Sequence, residues 1–125
     1  MKRAIYLVVF GVIVFFVFLF EKTQNSDYIA INNAIGSGKV ESLSAYFAPE
    51  IKLNFNNKQN ICTKSQAAKV IGDFFDKHKP QEYTSSHNRN YFFGTMTTSE
   101  GLSYKVDYTL KTVNNQSVIT GLYVY

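Results

Sequence analysis

From Leu102 to Lys111 the chain alternates Leu102, Tyr104, Val106, Tyr108 and Leu110 with Ser103, Lys105, Asp107, Thr109 and Lys111. A period of two predicts a β-strand with one buried and one wet face, and it sets Asp107 on the wet one. Three further extended segments share this half of the chain: QEYTSSH, NYFFGTMTTS and QSVITGLYVY. Ser99-Glu100-Gly101 and Asn114-Asn115 supply turn chemistry between neighbours, so an antiparallel meander is expected. In QSVITGLYVY both parities are apolar, Val118, Leu122 and Val124 against Ile119, Tyr123 and Tyr125. Such a strand is covered on both sides or offers an apolar face to a partner.

The preceding half has a different rhythm. In SDYIAINNAIGSG, Tyr28, Ile31 and Ile35 share a helical face, Ser26 is a candidate cap and Gly38 a candidate stop. VESLSAYF repeats the pattern briefly through Val40, Leu43 and Phe47 until Pro49 ends it. IKLNF alternates as a half-buried strand, NNKQN turns, and Ile61-Cys62 make a short return strand. Thr63 and Gln66 have the spacing of a capping box, which opens the main helix. Its apolar face runs through Ala67, Ile71, Phe74 and Phe75, with Asp73, Asp76, Lys69 and Lys77 elsewhere, and Lys79-Pro80 predicts an end near His78.

Residues 4–20 differ in kind: after Lys2 and Arg3 they form an unbroken apolar run with one glycine. At ~1.5 Å per residue such a helix reaches about 25 Å, the lower limit for spanning a bilayer. The run predicts a signal peptide or membrane anchor. Phe18 to Thr23 lacks the small residues of a cleavage site, which favours retention as an anchor over cleavage. A buried core helix would need a polar face that this run does not have. Lys2 and Arg3 then stay in the cytoplasm and the remainder faces the periplasm or cell envelope. Three segments follow: residues 1–20 as signal or anchor, 21–25 as connector, and 26–125 as one α+β domain.

Setting aside Lys2 and Arg3 leaves 11 basic residues against 9 acidic, so the exported part carries +2 of the chain's formal +4. Arg89 is its only arginine and the lysines are scattered, so no nucleic-acid partner is expected. The lone Cys62 has no disulfide partner and reads as a small buried apolar residue.

The order of helix, short helix, strand pair, long helix and long antiparallel strands resembles the cone-shaped fold of the nuclear transport factor two-like superfamily. Within it the chain resembles a family of exported bacterial proteins of unknown function. INNAIGSGKVESLSAYFAPEIKLNF, TKSQAAKVIGDFFDKHKP and GTMTTSEGLSYKVDYTLKTVNNQSVITGLYVY carry the likeness. The resemblance implies about three helices packed on a curved antiparallel sheet. It supplies no catalytic residues. Enzymes of the superfamily generally set an aspartate, or a histidine with a carboxylate, inside the cone, and members often dimerise through the open sheet face.

The candidates for such chemistry are few. None of Glu41, Glu50, Glu82 and Glu100 pairs by spacing with a histidine. His87 shares parity with Tyr83 and Ser85 and is expected to face inward. With His78, Tyr104 and Tyr108 it makes the best polar constellation for a pocket, while Tyr123 and Tyr125 are candidates for a strand-mediated contact. Two histidines and one cysteine without paired spacing exclude a metal site, and no glycine loop opens a helix to cradle phosphate. No cofactor is expected. The excess of aromatic over catalytic residues favours a non-catalytic binding module for a small ligand or an envelope protein. The alternative is a small cofactor-free isomerase, dehydratase or hydrolase acting inside the cone.

Overall fold

The computed structural model describes residues 27–125. The expected signal or anchor segment, the connector and the Ser26 cap lie outside the described residues. Among the described residues no helix is long and apolar enough to cross a membrane.

Helix α1 occupies residues 27–37 and buries Ile31, Ala34 and Ile35, the face its spacing predicts. Gly38, at φ +68°, closes it: its amide donates to the Ile35 carbonyl and the Lys39 amide donates back to Ala34. A β-carbon at Gly38 would also press on Pro80 at 2.9 Å. Both observations call for glycine there. Helix α2 (Val40–Ser44) buries Leu43 and leads into β1 (Phe47–Phe55). Strand β1 thus starts before Pro49, where a helix end and a later strand are predicted, and its register against its neighbour shifts between Phe47 and Lys52. An irregular strand tolerates a residue with no amide donor.

Asn56 and Asn57, both at positive φ, turn β1 into β2 (Lys58–Thr63). Two consecutive left-handed residues give the turn whose twist matches a hairpin, and asparagine adopts them readily. Thr63 and Gln66 then form the predicted capping box, each side chain bonded to the other's amide. Such caps are worth about 1 kcal/mol. Helix α3 (Lys64–Lys77) buries Ala67, Ile71, Phe74 and Phe75. Cys62, expected to be buried, is half-buried at the edge of the core because β2 is an outer strand.

Strands β3 (Pro80–Asn88), β4 (Tyr91–Thr98), β5 (Ser103–Val113) and β6 (Gln116–Val124) follow, and the sheet order is β2-β1-β6-β5-β4-β3. The sheet is therefore not wholly antiparallel: β1 and β6 pair in parallel. Helix α3 carries the chain from β2 at one edge to β3 at the other, and the meander returns inward until β6 fills the centre. One extra residue in β6, Thr120, breaks the register between Thr109–Leu110 and Gly121–Ile119. That bulge turns Ile119 to the same buried side as Leu122 and Val124, which explains the apolar residues of both parities. The helices cover one face of the sheet around a core that includes Phe92, Met96, Val106 and Tyr108.

Candidate functional site

The sheet carries a cavity at one end. It is bounded by Tyr28 in the first turn of α1, His87 near the end of β3, Arg89 in the β3–β4 turn, Phe92 in β4, Leu110 in β5 and Ser117 in β6, and its volume is about 250 Å³. Tyr28 stacks on Phe92 with ring centres 5.7 Å apart, and the His87 ring lies 5.1 Å from Phe92. Beneath them Phe92 and Tyr108 stack almost parallel, 4.8 Å apart and 3° from coplanar alignment. Tyr108 is completely buried. Its hydroxyl donates to Asn32 Oδ1 at 2.7 Å, and Asn32 Nδ2 donates to Ser85 Oγ at 2.9 Å. The floor is thus a closed aromatic layer whose polar atoms are already bonded. Burial, with Tyr83 and Tyr28 nearby, pushes the Tyr108 phenol well above its usual range. It remains a neutral donor and offers no acid or base near neutral pH. Among the described residues no aspartate or glutamate lines this cavity.

The opposite end holds His78 and Tyr104. His78 is the residue that ends α3, and its Nδ1 contacts Glu100 Oε1 from the β4–β5 turn. The pairing absent from local spacing arises between two elements, 22 residues apart in sequence. Both partners meet solvent, with side-chain exposures of 19% and 44%. The His78 ring sits 5.3 Å from both Phe74 and Tyr104, above an open groove of about 350 Å³ shared with Phe55 and Val70. A backbone bond from the Ser99 amide to the Lys79 carbonyl, 2.9 Å, ties the same turn to the same helix end. The His78–Glu100 contact therefore clamps α3 to the sheet. The length of β3 separates it from His87, an extended span of roughly 25 to 30 Å. The four candidates His78, His87, Tyr104 and Tyr108 thus form two clusters instead of one pocket.

Tyr123 and Tyr125 project from the outer face of the sheet, which no described helix covers. Tyr125 and Phe93 are exposed, while Tyr123 is half-buried beside Tyr91, ring centres 6.4 Å apart. Between these rings lies Asp107. Its parity is as predicted, but it does not face water: only 3% of it is exposed. The Tyr91 hydroxyl donates to Oδ2 at 2.8 Å and the Gly94 amide to Oδ1 at 3.3 Å. Rings from β4 and β6 close over the carboxylate, and two donors satisfy it. Burial and then the bond to Asp107 raise the Tyr91 phenol above its ordinary value. Strand parity locates a side chain on a face; only the neighbouring strands decide whether that face is covered.

A profile of a domain of unknown function, DUF4783, matches residues 28–124. The chain belongs to this family. A DUF4783 protein from Bacteroides ovatus has a similar structure, with 26% identity, a TM-score of 0.68 and coverage of 76% of this chain and 90% of that one. A second, from Bacteroides fragilis, shows 21% identity and a TM-score of 0.70 over 77% of this chain and 94% of that one. The fold extends beyond DUF4783: a Streptomyces avermitilis protein provisionally named a dehydratase of the NTF2-like family superimposes with a TM-score of 0.53 at 8% identity, covering 82% of this chain and 92% of that one. No curated protein matches the chain. The expected nuclear transport factor two-like fold is thereby established for this DUF4783 member.

Proposed function

We propose that this DUF4783 chain is a non-catalytic binding module of the cell envelope, taking a small ligand at the mouth of its cone. The observation that carries the reading is the composition of the mouth: the rings of Tyr28, His87 and Phe92 with Leu110, polar groups such as Arg89, Asn90 and Ser117 among them, an aromatic floor, and no carboxylate among the described residues that line it. Binding sites are mostly apolar cavities with a few placed polar groups, which fits this set. Acid–base catalysis would need a positioned proton acceptor inside it. His87 has no hydrogen-bonding partner among the described residues, and the histidine that meets a carboxylate stands at the far end in solvent. The fold shared with a protein provisionally named a dehydratase does not by itself carry that chemistry here. The apolar run after Lys2 and Arg3 supports placement at the envelope.

The test is a fragment titration of the full chain followed by NMR. Small aromatic compounds are expected to move the signals of Tyr28, Phe92 and Leu110 together. A library that leaves those three unmoved would remove the mouth as a ligand site.

A second reading, a protein contact through the outer face and with it a homodimer, is favoured by exposed Phe93 and Tyr125 next to Tyr91. Its prediction is that Phe93→Ser weakens such a contact while leaving the fragment response intact.

A further inference from the structure

Among the described residues the mouth carries one permanent cation and no anion. Arg89 is the only arginine in residues 21–125, and it lines the cavity. Among the described residues no carboxylate pairs with it, the one recorded ion pair being that of His78 and Glu100. The backbone that carries it is held in place. Asn88 pairs with Tyr91 across the hairpin, Arg89 takes φ +58°, and the neighbouring Asn90 carbonyl accepts the Leu110 amide at 2.9 Å. The turn is thereby fastened to β5, and the exposed Arg89 side chain extends from this tethered turn. A non-glycine residue at that φ is uncommon outside asparagine and aspartate.

Three rings line the same space, with Tyr28 and His87 tilted 45° to each other on either side of Phe92 in orientation. Tyr28 and Phe92 lie 28° from parallel and His87 and Phe92 31°, so the rings share a rough orientation that a planar ligand can continue. His87, whose ring nitrogens have no hydrogen-bond partner among the described residues, lines the same space. A cavity of about 250 Å³ accommodates one ring and a small substituent.

Resting on the mouth reading above, we infer that the ligand is a small planar monocarboxylate, its acid group on the Arg89 guanidinium and its ring against Tyr28, His87 and Phe92. A guanidinium is built to hold a carboxylate through two parallel bonds, and a single cation matches a single negative charge. Leu110 adds an aliphatic side chain to the lining.

The experiment uses the full chain in lipid nanodiscs, with NMR on the Leu110 methyls and the Tyr28 and Phe92 rings. Three probes are titrated: benzoate, its neutral isostere benzamide, and acetate, which has the charge without the ring. Benzoate is expected to bind at least tenfold tighter than either of the others, and Arg89→Gln to weaken benzoate by about tenfold or more while leaving benzamide unchanged. Lys111→Gln, which removes an exposed cation elsewhere on β5, should leave benzoate affinity as it is. Equal affinity for benzoate and benzamide, or a benzoate affinity indifferent to Arg89→Gln, overturns the carboxylate inference while the mouth remains a binding site. If none of the three probes moves the mouth signals, the inference also falls. Phenol and indole then decide the broader reading: a response keeps the mouth as a site for neutral rings, and silence removes it.

Discussion

The two ends of the sheet divide between them the ingredients of an active site. At the mouth a cavity has aromatic walls, a closed floor and a cation at its rim, and no carboxylate among the described residues. At the opposite end a histidine touches a glutamate, and water reaches both. An acid–base site needs these features in one enclosed place, because proton transfer and electrostatic stabilisation depend on positioned groups with water excluded. A histidine beside a carboxylate is thus not sufficient: the His78–Glu100 pair fastens a helix end, away from the cavity at the mouth.

Substitutions can break this contrast from either side. Tyr108→Ala removes the floor of the mouth, and a fully buried aromatic side chain lost from a core costs about 3 to 5 kcal/mol. Thermal unfolding should show the loss directly, and an unchanged melting temperature would mean that the floor is not part of the core. Alkaline pH acts on the same layer. Burial first, and then Asp107, raises the Tyr83 phenol, and burial raises that of Tyr108, so the unfolded chain releases these protons before the folded one does. The stabilisation is complete below the ordinary phenol pKa of about 10 and is lost as pH rises beyond it, at about 1.4 kcal/mol per pH unit for each phenol. Denaturant melts between pH 9 and 12 measure that slope.

Smaller effects sharpen the comparison. Tyr108→Phe keeps the stack and removes the bond to Asn32, at a cost of about 1 to 2 kcal/mol, and it should reduce the alkaline slope by one phenol. At the other end His78→Ala or Glu100→Gln should cost no more than about 1 kcal/mol, as expected for a solvent-exposed pair, and should leave binding at the mouth unaltered. A substantial loss of ligand affinity from either substitution would show that the ends are coupled and that their separation is misread.

Local rules read much of the fold from sequence. Period-two alternation in β5, the Thr63–Gln66 box, the asparagine turns and Gly38 are each decided by residues within a few positions of one another. The remainder depended on encounters across the sheet. Tyr91 and Asp107 lie on different strands, and only the register that sets Tyr91 opposite Thr109 lets its hydroxyl reach the carboxylate. Glu100 meets His78 because the β4–β5 turn folds back on the end of α3. The walls Tyr28 and Phe92 and the rim cation Arg89 escaped notice as site residues for the same reason: each is ordinary in its own segment. Their alternation did contain one usable signal, since His87 and Phe92 oppose each other in the β3–β4 hairpin and so present their rings together.

The place of β6 has a consequence for how the molecule assembles. It follows every other strand in the described chain yet lies between β1 and β5, and its parallel partner Leu53 is about 70 residues away from Leu122. Until β6 docks, the β1–β2 hairpin and the β3–β5 meander have no hydrogen bond to each other, and each exposes an open strand edge. Closing so long a loop makes the joining step slow, and the exposed edges invite pairing with other chains in the interval. Correct folding thus depends on a single nine-residue strand arriving in register as the keystone of the sheet.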